Sequence, residues 1–278
     1  VGGVISDFEM SQEILRQFLR RVGSAVSFAS FGTAVVGVPS NLTEVERKSV
    51  EDAVVGAGVF RSFVIDEPLA AALGARLPIT EPTANMIVDI GGGTTEVAIL
   101  SMAGTVTSKS LKVAGDKLND DIVRFLRDEF RLAIGEATAE DIKLAVGSAV
   151  PLESKLEVSV RGRDLASGLP KEVQVKDSQI RSAISKSLHT IVEAVREVLE
   201  VSPPELAGDI LRCGIHLSGG GSLLRGIDML ISKELSVSVT IVDDPLTCVA
   251  RGTGVAVEQL GRYLPLLENP VQPKAIRL

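Results

Sequence analysis

Residues 88–100 read VDIGGGTTEVAIL, and the fold turns on how the three glycines are understood. An apolar run ending in Asp89 and Ile90 leads into Gly91, Gly92 and Gly93. Bare backbone N–H groups of this kind can converge on an anion such as phosphate. The common phosphate loops do not fit, however. A P-loop needs Gly-Lys-Ser/Thr opening a helix, and a dinucleotide fingerprint also needs a helix after its glycines. Here the chain continues Thr94, Thr95, Glu96, Val97, Ala98, Ile99, Leu100. That run is β-branched and apolar with no helical stripe, so a strand is expected. The triplet reads as the tip of a β-hairpin. A glycine-rich turn without a ligand and a phosphate cradle both suit this stretch.

The wider composition narrows the class. The chain has 278 residues, enough for one large domain or two ordinary ones. It is 45% hydrophobic and 3% aromatic, with no Trp, so a folded protein with an aliphatic core is expected. A net charge of −7 argues against a nucleic-acid partner, which would call for a basic face. Cys213 and Cys248 are too far apart for a metal knuckle and read as reduced, buried thiols of a cytosolic protein. There are only two histidines, His189 and His216, so chemistry should rest on carboxylates, hydroxyls and backbone. The uncharged run from Val22 to Thr43 is long enough to span a bilayer. Its glycines, serines and Pro39 break it into a loop, Gly23 to Thr33, and a buried strand, Ala34 to Val38. No signal peptide is evident.

Strands and helices alternate along the chain, which predicts an α/β class. A helical stripe runs through residues 7–22. Thr43 and Glu46 have capping-box spacing and open a helix to about Val55. A strand ends at the turn Asp66-Glu67-Pro68, and Pro68 suits the first position of the Ala-rich helix that follows. Pro78 and Pro82 mark a boundary near residues 76–84. Strands are expected near 84–90, 95–101 and 104–111, and helices over 115–130 and 138–146. Residues 155–176 alternate with period two and form a hairpin exposed on one face. Asp177 caps a long helix ended by Pro203-Pro204, with His189 beside its apolar stripe. The strand CGIHLS, residues 213–218, runs into Gly219, Gly220 and Gly221, with a helix from Ser222. A strand near 237–242 and a helix from about Thr247 follow.

These pieces share an order. A strand–GGG–strand tip has Asp89 before it, Glu67 sits at a strand-to-helix turn, and a second glycine triplet opens a helix. That layout resembles the ATPase superfamily of actin, heat-shock chaperones and sugar kinases, in which nucleotide lies between two related lobes. Within it the chain looks like a member of the MreB family of bacterial actins. The words that carry the likeness are VVGVPSNLTEVER (35–47), IDEPLAAALGA (65–75), MIVDIGGGTTEVAIL (86–100), TSKSLKVAGDKLNDDI (107–122), VRGRDLASGLPK (160–171), LSGGGSLLRGID (217–228) and DPLTCVARGTG (244–254). They span nearly the whole chain in order. The resemblance implies an actin-like two-lobed α/β fold. Residues 1–76, with 255–278 packing back, form what remains of the first lobe. Residues 77–254 form the second, including a small hairpin subdomain at about 112–180.

The resemblance also implies roles. Asp89 resembles the aspartate that holds Mg²⁺, usually through water. Gly91, Gly92 and Gly93 would place N–H groups near the β- and γ-phosphates of ATP. Glu67 resembles the glutamate that polarises the attacking water, with Thr94 as its hydroxyl partner. Glu140 and Lys143 resemble ribose and adenine contacts, and Gly219, Gly220 and Gly221 would let the backbone pass close to the nucleoside. Gly252 and Gly254 look like a second connection between lobes. Taken singly, a Glu-Pro is a helix start, a Glu-x-x-Lys a solvated pair and a GGG a turn. The implied activity is ATP hydrolysis coupled to polymerisation. The implied partners are further copies in a filament, the inner face of the cytoplasmic membrane and the cell-wall elongation machinery, with no nucleic acid. The implied location is cytoplasmic and peripherally membrane-associated.

The likeness begins after the phosphate-1 hairpin with which the family opens, so the first lobe is expected to be incomplete and to show an exposed sheet edge. Three readings follow: an MreB-type ATPase that needs that arm, a noncatalytic filament or scaffold subunit, or another superfamily member such as a sugar kinase or chaperone. In the family, the loop GSAVSFASFG (23–32) resembles a membrane-inserting element, here carrying Phe28 and Phe31. The competing expectation is that both rings are in the core.

Overall fold

A computed structural model describes residues 7–25 and 31–267. The first part is small. Helix α1 (Phe8–Ala25) precedes β1 (Thr33–Val38), α2 (Glu44–Gly56), β2 (Arg61–Asp66) and α3 (Glu67–Gly74). β1 and β2 pair in parallel as a two-stranded sheet, with Val38 opposite Asp66. The capping box opens α2 as expected: Thr43 Oγ1 accepts from the Glu46 N–H at 3.3 Å, and Glu46 Oε2 accepts from the Thr43 N–H at 2.8 Å. β1 is half-buried except at Val38, so the expectation of a buried strand was too strong. It is an edge strand of its two-stranded sheet.

The larger part begins with β3 (Asn85–Ile90), β4 (Thr95–Ser101) and β5 (Gly104–Leu111), an antiparallel meander. Helix α4 (Gly115–Phe130), strand β6 (Leu132–Ala133), helix α5 (Glu136–Val146), the hairpin β7 (Glu157–Asp164) and β8 (Pro170–Lys176), and helix α6 (Asp177–Glu200) follow. Then come α7 (Pro204–Cys213), β9 (Ile215–Ser218), α8 (Ile227–Leu235), β10 (Val239–Ile241) and α9 (Cys248–Glu258). β9 and β10 add in parallel beside β3, giving the order β10-β9-β3-β4-β5.

The central strands β3 and β4 of this sheet are buried on both faces. Met86, Val88, Ile90, Val97 and Ile99 face a core shared with Leu118, Ile122 and Leu126 of α4 and with the Ile180–Val198 stripe of α6. The alternate residues Ile87, Ala98 and Leu100 face a second core, with Phe63, Ile65, α3, Cys248 and Tyr263. Near-continuous apolar runs in β3 and β4 are what such two-sided burial requires. On the second face α3 and α9 cross with their backbones almost touching. A methyl placed on Gly252 would lie 1.7 Å from the Ala70 carbonyl oxygen, and one on Gly74 would lie 1.9 Å from that of Cys248.

Four further expectations needed correction. Pro203-Pro204 does end α6, but Pro204 also opens α7, an element missed from the sequence; proline is well tolerated at a first helical position. Asp177 is the first residue of α6 rather than its cap. It pairs with Arg181 at 3.1 Å, while the Gln179 side chain accepts from the Lys176 N–H at 2.9 Å. The second glycine triplet leads first into a 3-10 turn, Gly220–Leu223, and α8 starts only at Ile227. Cys248 is buried, but Cys213 is exposed at the end of α7.

Candidate functional site

The glycines of 91–93 form the expected hairpin tip, and β3 and β4 pair up to Ile90 opposite Thr95. None of the three has a positive φ. A methyl on Gly92 would meet nothing closer than the Asp116 carboxylate, at 3.5 Å. Neither backbone conformation nor internal packing therefore demands glycine there. One expectation is corrected: the Gly91 N–H is not free for an anion, because it closes the hairpin on the Thr94 carbonyl at 2.9 Å. The N–H groups of Gly92 and Gly93 make no backbone hydrogen bond among the described residues. The tip is braced from α4, whose Gly115 and Asp116 N–H groups donate to the carbonyls of Gly91 (3.1 Å) and Gly92 (2.8 Å).

The tip borders a cleft of about 600 Å³. Gly91, Gly92, Gly115 and Asp116 form one wall, Glu140, Lys143, Leu144 and Gly147 of the α5 region another, and Gly220, Gly221, Leu223, Arg225 and Leu246 the third. In the Glu140–Lys143 pair the lysine is largely covered while the Glu140 side chain stays 42% exposed. Their ion pair measures 2.7 Å, Asn119 donates to Glu140 at 2.8 Å, and Lys143 also donates to the Gly115 carbonyl at 3.2 Å. Burial opposes ionisation of Glu140, but the bonds from Lys143 and Asn119 and the Lys143 charge outweigh it and hold its carboxyl below the usual range.

The second triplet is glycine for a reason the sequence could not show. A methyl on Gly219 would lie 2.3 Å from the Ile90 carbonyl oxygen, and one on Gly221 2.3 Å from the Ile90 side chain. Gly219 also has φ +79°, a conformation that favours glycine. The close approach is thus to the end of β3, and this packs the two glycine turns against each other. Gly220 and Gly221 line the cleft; Gly219 does not.

Behind the tip lies an acidic group. Asp89 is buried and accepts from the Ser218 hydroxyl at 2.6 Å. Burial raises its proton affinity, and the Ser218 bond partly offsets this. Thr94 is also buried. Glu67 is the first residue of α3, so Pro68 takes the second helical position rather than the expected first. Its pKa is pushed up to about 7, first by burial and then by the charges of Asp89, Glu96 and Asp66. Glu67, Asp89 and Thr94 stand beside the cleft rather than on its lining. Glu96, not expected as a site residue, is wholly buried opposite Asp89. A carboxylate in a strand covered on both faces was the available signal. Asp116, Gly147 and Arg225 were missed as well; they sit in helix and turn positions with no distinguishing pattern. Among the described residues no group of three or more His, Cys, Asp or Glu is arranged to hold a metal ion by itself.

The geometry is a glycine-tipped cleft with a buried carboxylate group behind it, and comparison with known proteins shows the family of the chain that carries it. The family model described as MreB/Mbl protein matches residues 1–264. The cell shape-determining protein MreB of Escherichia coli K12 is 45% identical over 261 residues, covering 94% of this chain and 75% of that protein. The crystal structure of MreB5 of Spiroplasma citri bound to ADP superposes with a TM-score of 0.90 at 37% identity, over 95% of this chain and 79% of that one. A MamK double helical filament shares the fold at a TM-score of 0.78 and 24% identity, over 93% of this chain and 79% of that one. The fold is that of the actin-like proteins, and the chain belongs to the MreB/Mbl family.

Proposed function

We propose that this protein is a bacterial actin-like ATPase that binds ATP with Mg²⁺ in the cleft and polymerises into membrane-associated filaments directing cell-wall elongation. The observation that carries the reading is Gly92. It is bare at the cleft wall although nothing inside the protein requires it to be, which leaves an occupant of the cleft as the reason. A volume of about 600 Å³ walled by leucines and a few fixed polar groups suits a nucleotide. The nucleotide seen in MreB5 supports the same assignment.

On this reading the phosphates face Gly92 and Gly93, and the nucleoside lies between Glu140–Lys143 and Gly220–Gly221. Mg²⁺ prefers few carboxylates together with water and phosphate oxygens, and Asp89, held by Ser218 through Oδ1, fits that donor set. The ion would neutralise developing phosphate charge. Glu67, with Thr94 beside the tip, orients the attacking water and takes its proton. The lobes are residues 1–76 with 255–278, and 77–254. Tyr263 and Leu267 share a core with Phe63 and Ile65, which supports the packing back of the C-terminal stretch. Calorimetry tests the site: Asp89→Ala should weaken MgATP binding by about tenfold or more, and unchanged affinity would remove Asp89 from it. The alternative of a noncatalytic scaffold predicts no hydrolysis in any variant.

Membrane association is proposed from the loop. Phe28 lies outside the described residues. Phe31 is half-buried, and its carbonyl accepts from the N–H of Phe60, a residue 61% exposed. Two phenylalanines thus enter the paired strands β1 and β2 side by side. Among the described residues no helix is long and apolar enough to cross a membrane. Attachment would be peripheral and cytoplasmic, each ring contributing about 2 kcal/mol and the filament multiplying weak contacts. Phe28→Ser with Phe31→Ser is expected to abolish co-sedimentation of polymer with liposomes while assembly in solution persists. Equal pelleting with the parent would place both rings elsewhere.

A further inference from the structure

Beyond the share its charge has in raising the Glu67 pKa, the Glu96 carboxylate has no part in the chemistry above, yet its side chain is wholly buried. Ser110 of β5, directly opposite it, donates a hydroxyl bond to Oε1. Oε2 accepts from the backbone N–H of Ser40 at 3.3 Å. Ser40 belongs to the exit turn of β1, in the other sheet. That turn is tied onward. The Arg47 guanidinium donates to the Ser40 carbonyl at 3.4 Å and to the Asp66 carboxylate at 2.9 Å. Asp66 is the last residue before α3, without a side-chain capping bond, and Glu67 is the next residue. Burying a carboxylate is costly unless its hydrogen bonds offset the loss of water. A strand packed on both faces needs no such group, so the bonds Glu96 makes outside its own sheet are the reason to look for.

We propose that Glu96 is a positioning residue: it fastens the β1 exit turn to the hairpin strand β4 and, through Ser40, Arg47 and Asp66, holds Glu67 in register with Asp89 and the glycine tip. The link joins the two-stranded sheet to the five-stranded one at the end of β4 that adjoins the glycine tip. Its catalytic consequence rests on reading Glu67 as the hydrolytic group. The fastening itself can be read without nucleotide.

Residue-resolved amide hydrogen exchange at Ser40, on nucleotide-free protein, measures it. Glu96→Gln keeps an acceptor oxygen for Ser40 and turns its amide to Ser110 Oγ, so exchange should stay within about twofold of the parent. Glu96→Ala removes the acceptor and should speed exchange about tenfold or more, the loss of one charge-assisted bond. Glu96→Asp, one methylene shorter, carries the same expectation should the alanine variant not fold. Ser110→Ala leaves the Ser40 bond intact and should leave its exchange unchanged. In steady-state hydrolysis Glu96→Ala or Glu96→Asp should lower kcat about tenfold with KM for ATP within about twofold, and Glu96→Gln should restore most of the rate. Unchanged Ser40 exchange in the shortened variants, or a glutamine variant that falls as far as alanine, overturns the proposal. Faster Ser40 exchange in a protein that hydrolyses no ATP, parent included, would keep the fastening and remove the ATPase reading instead.

Discussion

Glu67→Gln is expected to lower kcat for ATP hydrolysis by about 10²–10³, with MgATP affinity changed by less than about threefold. On the proposed arrangement Glu67 faces the attacking water, whereas the glycine tip and the ion at Asp89 hold the phosphates, so Glu67 contributes little to affinity. Burial and three neighbouring carboxylates bring its pKa to about 7, where a general base works best at neutral pH. The parent rate should therefore rise with pH through about 7, and the variant should lose that limb. Stability carries the opposite sign. The folded pKa of about 7 lies above the ordinary 4.5, so between these values the folded protein binds more protons than the unfolded chain. Stability of the nucleotide-free protein should fall as pH rises across that window. The glutamine variant lacks this contribution and should be the more stable above pH 7, by up to roughly 3 kcal/mol. Asp89 and Glu96 are raised as well and leave it some residual slope. Urea unfolding at pH 5 and pH 8 gives the comparison. Equal losses of rate and affinity would make Glu67 structural.

Gly252→Ala should destabilise the protein by about 3 kcal/mol or more, at or beyond the upper end for an overpacked core. The added carbon would sit 1.7 Å from the Ala70 oxygen, and both atoms belong to helix backbones that cannot step aside as a side chain can. Gly254→Ala is the control. A methyl there meets nothing within 4 Å, and alanine favours the helix, so this change should be neutral or slightly stabilising. Denaturation midpoints separate the two. An unchanged midpoint for Gly252→Ala would mean that α3 and α9 can move apart at little cost.

Much of the architecture was legible because the decisive signals were local. The meander β3-β4-β5 and helix α4 fall where period, glycine and β-branching placed them. The capping box at Thr43 needed only spacing. What stayed hidden depended on distant partners. The demand for glycine at 219 and 221 comes from Ile90, more than 120 residues earlier. Glu96 looked like one polar residue in an apolar strand until Ser40 and Ser110 came into contact with it. Pro204 was read as an ending because a proline both stops one helix and starts another. The cleft contacts Asp116 and Arg225 lie in ordinary helix and turn contexts, and only their convergence marks them.

The crossing of α3 and α9 has a mechanical consequence. Most helix pairs are separated by a layer of side chains, which can shear, change rotamer and absorb small displacements. Here two glycines remove that layer, and the peptide planes bear directly on each other. Such a joint resists sliding and separation. Drawing α3 away from α9 would break backbone contact at both glycines at once, so the two helices move as one piece.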